Sequence, residues 1–280
     1  MSAFLEVHLT FADPEPGREI AVALLAEAGC TMFREDGNEL WAYAAAGEAD
    51  LEAVEQVQSD LTPLGVLVWE VNEVQGENWN ARWEAEYAPV EFSRRATIRA
   101  PFHAAPAEGI DVIIRPEMSF GTGHHPTTRL MVEVLLDYPP AGERVLDMGA
   151  GTGVLAIASV RLGASACLAV EIEPGAADNA RENTVANGLE QAIEVRCGDA
   201  SVLRPEDGKF HRVLANINRN VLQADWWVYD QAAEYEIVTS GFFPSDVPLL
   251  EACAAGWNWE PLEVRTHEGW ACVRWKRIDP

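Results

Sequence analysis

Ser119–Thr128, SFGTGHHPTT, carries two glycines, two adjacent histidines, a proline and three threonines in ten residues. That is more hydrogen-bonding capacity than a simple connection needs. Further along, DMGAGTG places Gly149, Gly151 and Gly153 after a strand-like ERVL and before a helix-like VLAIASVRLGA. Glycines there let the backbone approach a ligand closely, and the helix start aims free N–H groups at it. Glu171, 22 residues after Gly149, ends the next strand, where an acid accepts hydrogen bonds from both ribose hydroxyls of a nucleoside.

Dinucleotide sites use such an acid too, so the ligand must be chosen on other grounds. The spacing here is GxGxG, whereas the dinucleotide fingerprint is GxGxxG. Asp147, read as a carboxylate at the mouth of the turn, would repel a pyrophosphate and favour a ligand bearing an ammonium and a sulfonium. S-adenosylmethionine carries both cations and no phosphate. The other reading of Asp147 is a strand-end aspartate bonding local backbone. Asp199, in CGDA, is positioned to accept from the adenine amine or to serve as a plain turn residue. Asn216, in LANIN, falls at the carboxyl edge of the sheet, where open α/β folds bind ligands; it either orients a nucleophile or caps the next helix.

Two kinds of pattern must position these residues. FLEVHLTF, REIAVALLAEAG, the pair of strands within TMFREDGNELWAYAA, DLEAVEQVQSDL and GVLVWEVNEV read as strand, helix, strand, strand, helix, strand. This order is the split βαβ of a small ferredoxin-like α+β domain over residues 1–75. ENWNARWEAEYAPVEF predicts a linker helix over residues 76–90, with Trp79, Trp83 and Tyr87 on one face as a docking stripe. ATIRAPF and IDVIIRP are two strands leading into the threonine-rich loop. From there on, helix and strand alternate, as in a parallel sheet covered on both faces, and this assigns 91–280 to an α/β, Rossmann-like domain.

A hydrophobic fraction of 48% in 280 residues excludes a disordered chain. No apolar run reaches the roughly 18 residues of a membrane span, and MSAFLEVHLTF lacks the basic flank of a secretion signal, so a cytoplasmic protein without a membrane partner is expected. The five cysteines form no CxxC pair, which signals neither a disulfide framework nor a zinc ribbon, and no metal is expected. The formal charge is −25, and lysine appears only at 209 and 276. Such acidity reads as adaptation to a saline cytoplasm, as a field that attracts a basic partner, or as both. It lacks the basic stripe that neutralises phosphates, so a nucleic-acid substrate is the least favoured.

Taken together, FGTGHHPTT, VLDMGAGTGVLAIA, EIEPGAADNARENTVANG, LANI and SGF resemble the ribosomal protein L11 methyltransferase family. The resemblance covers roughly residues 76–280 and fits the small N-terminal domain. It implies a class I, S-adenosylmethionine-dependent catalytic domain, and a recognition domain that grips a basic protein of the ribosomal stalk base. It also implies methyl transfer to lysine side-chain and N-terminal amines. By motif position the family's cofactor contacts fall on Thr128, Gly149, Glu171 and Asn216, with Glu171 standing where aspartate is more common. Thr122 and Thr128 then offer hydroxyls to the methionine end of the cofactor; the other reading of Thr128 is the N-cap of the helix RLMVEVLLDY, and one residue can serve both purposes.

Methyl transfer to nitrogen is an in-line displacement, which needs alignment and an unprotonated amine. Asn216 is expected to orient that amine, with Phe120 and Ile217 as a dry lining. Three rivals stay open on the sequence alone: an enzyme acting on another protein or a small amine, a non-catalytic S-adenosylmethionine-binding protein, and a nicotinamide oxidoreductase.

Overall fold

Alternating apolar residues give the N-terminal strands one buried face. In the computed structural model, which describes residues 3–13, 16–45, 49, 51–75, 87–116 and 121–278, the chain divides into two units, Met1–Tyr87 and Ala88–Pro280. The first unit runs β1 (Ala3–Phe11), α1 (Gly17–Glu27), β2 (Met32–Asp36), β3 (Glu39–Ala45), α2 (Leu51–Leu61) and β4 (Val66–Gln75). Its four strands pair antiparallel in the order β2-β3-β1-β4. Val7, Leu9, Leu40 and Ala42 share a core with Ala21 and Leu25 of α1 and Val54 and Leu61 of α2. The turn at Asp36-Gly37 falls where the sequence places it, with Gly37 at φ +56°.

Of the linker helix expected over 76–90, residues 76–86, including Trp79 and Trp83, lie outside the described residues. Tyr87–Pro89 are irregular, and Val90 already opens a strand. That strand, β5 (Val90–Phe92), joins β6 (Ala96–Arg99) and β7 (Ile110–Ile113) in a small three-stranded sheet. Its three residues are too short to show a period.

The larger sheet explains the location of the site. After α3 (Pro126–Asp137) come β8 (Arg144–Met148), α4 (Val154–Arg161), β9 (Ala166–Glu171), α5 (Pro174–Ala186), β10 (Ile193–Cys197) and β11 (Phe210–Asn216). Two short helices, α6 (Arg219–Ala224) and α7 (Trp226–Ala232), then β12 (Ala233–Phe242), α8 (Val247–Ala255), β13 (Trp259–His267) and β14 (Trp270–Arg277) complete it. The strand order is β10-β9-β8-β11-β12-β14-β13, parallel except at β14, which runs antiparallel to both neighbours. This is a Rossmann-like mixed α/β sheet. One apolar cluster, with Leu130, Val145 and Ile157, and a second, with Leu146, Trp226 and Trp275, form its buried packing.

From β8 the chain winds outward through β9 to β10, then returns to the opposite side of β8 as β11. The order therefore reverses between β8 and β11, and the carboxyl ends of these two strands frame the crevice where such sheets hold ligands. Asp147 pairs in register with Leu214, and Met148 with Ala215, so the glycine-rich turn and LANI emerge side by side.

Candidate active site

At the end of β8 the backbone turns through Gly149, Gly151 and Gly153, at φ +73°, +55° and +79°, into α4. A side chain at Gly149 would lie 2.4 Å from Cγ2 of Ile217. Ile217 is confined from its other side too, because a Cβ on Gly241, at φ +97°, would fall 2.4 Å from the Ile217 carbonyl oxygen. Two glycines, one in the turn after β8 and one on β12, thus let one residue of LANI sit flush against the turn.

Glu171 closes this arrangement from β9. Its Oε2 accepts from Gly151 N–H at 2.7 Å and its Oε1 from Glu173 N–H at 3.0 Å. Each carboxylate oxygen keeps a second lone pair, so acceptor capacity is left for the two ribose hydroxyls expected from the sequence. Asp199 is exposed, and its Oδ1 accepts from Ser201 N–H at 2.9 Å, capping a short 3-10 turn. Its carboxyl is held below the usual range, chiefly by the Ser201 hydroxyl and then by backbone N–H.

Asp147 departs from expectation. It is not at the mouth of the turn but beneath it, with no solvent exposure, and its Oδ2 accepts from Ala156 N–H at 3.1 Å. The strand-end aspartate bonding local backbone is therefore the reading the geometry favours. The physical reason is direction: the Asp147 side chain leaves β8 toward the first turn of α4, whose orphan N–H groups attract a carboxylate. Burial pushes its carboxyl up to about 7, against the pull of Ala156 N–H, with the Glu171 charge adding to the rise. A carboxyl raised on folding destabilises the native state as pH climbs from its ordinary value of 3.8 toward 7. Asp147→Asn is accordingly expected to lose less melting temperature than the native chain between about pH 4 and about pH 7. Equal slopes in a pH series of thermal melts would refute this assignment.

The threonine-rich loop is described from Gly121 onward; Phe120, expected in the lining, lies outside the described residues. The alternative reading of Thr128 as a helix cap fails: α3 begins at Pro126, and its N-cap is His125, whose side chain accepts from Thr127 N–H. Proline at the first helical position presets the turn, which moves the helix start upstream of the apolar pattern. Thr128 is instead fully buried, and its Oγ1 meets Asn216 Nδ2 at 3.4 Å. His124 and His125 face different partners: His124 contacts the Ala88 carbonyl and Thr122 Oγ1, His125 the Thr127 hydroxyl. Thr122 is half-buried.

Asn216 does not cap a helix either. That task falls to Asn218, whose Oδ1 accepts from the N–H groups of Asn220 and Val221. This leaves Asn216 Oδ1 buried without a partner among the described residues, at the carboxyl end of β11 beside Thr128 and the glycine turn. Buried polar atoms left unmatched cost free energy unless another group completes them. Two contributors escaped the sequence reading, Thr152 and Asn183. Both are fully buried and connect the loop, the glycine turn and α5.

Residues 18–278 match the model of the ribosomal protein L11 methyltransferase family. The chain belongs to that family. Among its relatives, a ribosomal protein L11 methyltransferase of Porphyromonas gingivalis is 37% identical over 95% of this chain and 93% of its own length. One from Chlorobaculum tepidum is 33% identical over 88% of this chain and 87% of its own. A crystal structure of ribosomal protein L11 methylase from Lactobacillus delbrueckii subsp. bulgaricus is similar at a TM-score of 0.59 and 25% identity, covering 69% of this chain and 100% of that one. Membership in the methyltransferase family removes the nicotinamide oxidoreductase from the rivals.

Proposed function

We propose that this chain is an S-adenosylmethionine-dependent protein methyltransferase acting on amino groups of ribosomal protein L11. The observation that carries the site assignment is the unpartnered, buried Asn216 Oδ1 next to a glycine turn with no room for a side chain at Gly149. The residues fit the cofactor. Glu171 retains acceptor capacity for the ribose, Gly149, Gly151 and Gly153 allow close backbone approach, and Thr122 and Thr128 bring hydroxyls from the loop, Thr128 beside Asn216. Asp199 is an exposed acceptor for an adenine amine. Once bound, the cofactor supplies an electrophilic methyl group on a sulfonium.

The protein's own contribution is alignment and desolvation. Asn216 Oδ1 accepts a hydrogen bond from the incoming neutral amine and so points the nitrogen lone pair toward the crevice. Ile217, wedged between Gly149 and Gly241, keeps that side apolar. A free lysine amine has a pKa of about 10.4, so a water-poor lining that disfavours the ammonium assists the reaction. Such orientation can lower a barrier by about 7 to 11 kcal/mol in well-matched systems.

The N-terminal unit, which we read as a ferredoxin-like recognition domain, supports a protein substrate over a small amine. The sheet face opposite its helices places Arg34, Trp41, His8 and Glu70 on one register line. His8 stacks on Trp41 at 4.8 Å and 5°, and Arg34 lies 4.5 Å from the centre of a Trp41 ring. Glu6 and Glu39 flank this array. A rigid aromatic centre with surrounding carboxylates suits a basic ribosomal protein of the stalk base. No helix among the described residues is long and apolar enough to cross a membrane, and we place the enzyme in the cytoplasm with no direct nucleic-acid substrate. Trp41→Ala is expected to raise KM for L11 about 10-fold with cofactor affinity unchanged, since interface anchors of this kind are worth over about 1 kcal/mol. An unaltered KM would remove this face from recognition.

Transfer of labelled methyl from S-adenosylmethionine to purified L11, run beside total cell protein, tests the assignment. Incorporation into L11 supports it. Incorporation only into another protein favours a different protein substrate, and cofactor binding with no incorporation anywhere favours a non-catalytic role.

A further inference from the structure

The helix α5 carries Asn179 and Asn183 four residues apart, and Asn187 follows at its C-cap. A helix advances about 6 Å in four residues, and a strand about 6.7 Å in two. Side chains at this helical spacing can therefore pair with alternate residues of an extended segment. They do so here. Asn187 accepts from Ile113 N–H at 3.0 Å and donates to Ile113 O at 2.7 Å, imitating a strand neighbour.

One step along, the pattern divides. Asn183 Oδ1 accepts from Arg115 N–H at 2.8 Å, but its Nδ2 donates to Thr152 O at 2.9 Å, in the middle of the glycine turn. The same Thr152 donates its hydroxyl to Gly121 O at 2.7 Å. A Cβ on Gly121 would lie 2.9 Å from that hydroxyl oxygen, so only glycine admits the contact. Arg115 and Gly121 are thus fastened through two fully buried side chains to one point of the turn that follows β8.

We propose that Thr152 and Asn183 are positioning residues for methyl transfer. They set the distance between the glycine turn and the Gly121–Thr128 stretch that bears Thr122 and Thr128. Neither touches the amine. They act by fixing where the loop hydroxyls stand relative to the turn, among them the Thr128 hydroxyl that receives Asn216 Nδ2. The inference rests on the reading of this crevice as the S-adenosylmethionine site.

Full-length enzyme decides the matter in two assays: calorimetric binding of S-adenosylhomocysteine, and steady-state methylation of L11. Thr152→Val removes the hydroxyl at nearly constant volume. It should weaken binding about 10-fold and lower kcat about 10-fold with KM for L11 unchanged, as expected when one buried hydrogen bond that orients a site is lost. Thr152→Ser should recover most of both losses. Asn183→Asp keeps the acceptor for Arg115 and sets an oxygen against both Thr152 O and Asn179 Oδ1, which the native amide also meets at 3.1 Å. Combined with Thr152→Val, it should be no worse than the worse single variant, because both break one circuit.

Native-like binding and kcat in Thr152→Val overturn the proposal. So does a serine variant as impaired as valine, or additive losses in the double variant. If Asn183→Asp fails to fold, the valine and serine pair decides alone. A native chain that binds S-adenosylhomocysteine but does not methylate L11 sinks the substrate assignment, and the binding comparison still tests Thr152. A native chain that binds none overturns both.

Discussion

Asn216→Ala is expected to lower kcat roughly 100-fold while changing cofactor Kd by less than about threefold, the scale associated with misplacing a reacting group by an ångström. Asn216 Nδ2 is directed at Thr128 Oγ1, whereas its Oδ1 is buried without a partner among the described residues, and the helix that it might have capped is capped by Asn218. An acceptor kept buried at the carboxyl edge of β11 suits the N–H of an amine. Glu171 and the glycine turn are untouched by the substitution, so cofactor affinity should survive. Parallel measurement of kcat and calorimetric Kd checks this, and an equal loss in both would reduce Asn216 to a cofactor contact.

Gly149→Ala should damage the other half of the site, weakening cofactor binding by about 100-fold or more. The new Cβ would lie 2.4 Å from Ile217 Cγ2, at a backbone φ of +73°. Left-handed backbone costs an L-residue about 1 to 2 kcal/mol, and overpacking adds about 1 to 3. At about 1.4 kcal/mol per tenfold in affinity, relief by displacing Ile217 would open the crevice. Gly175→Ala is the control, since nothing lies within 4 Å of its Cβ position. A Gly149→Ala enzyme with native affinity would show that Ile217 is not part of the cradle.

The sequence exposes elements whose signals are local. DMGAGTG reads as strand, turn and helix because three glycines and an apolar run sit within a few residues, and the Asp36-Gly37 turn is equally local. What escapes is decided by distant partners. Asn183 meets Arg115 across 68 residues of chain and Asn187 meets Ile113 across 74, so an asparagine ladder looks like ordinary helix surface until the two segments pack.

Asp147 was legible as an acid at a turn but not as a buried one, because its direction depends on where α4 begins. His125 hides as a cap because its ring substitutes for the usual serine or aspartate. The late strand β13 is masked by Pro261, which an edge strand tolerates beside an irregular register. Arg212, Glu236 and Arg274 are buried in ion pairs between neighbouring strands, partners that lie 24 and 38 residues apart in the chain.

Intact-mass analysis of L11 before and after incubation with enzyme and S-adenosylmethionine tests the central claim most directly. The expected product has a mass raised by whole multiples of a methyl replacing a hydrogen, with no increment for the Asn216→Ala enzyme at matched early times. An unchanged L11 mass under conditions in which the cofactor demonstrably binds would contradict it.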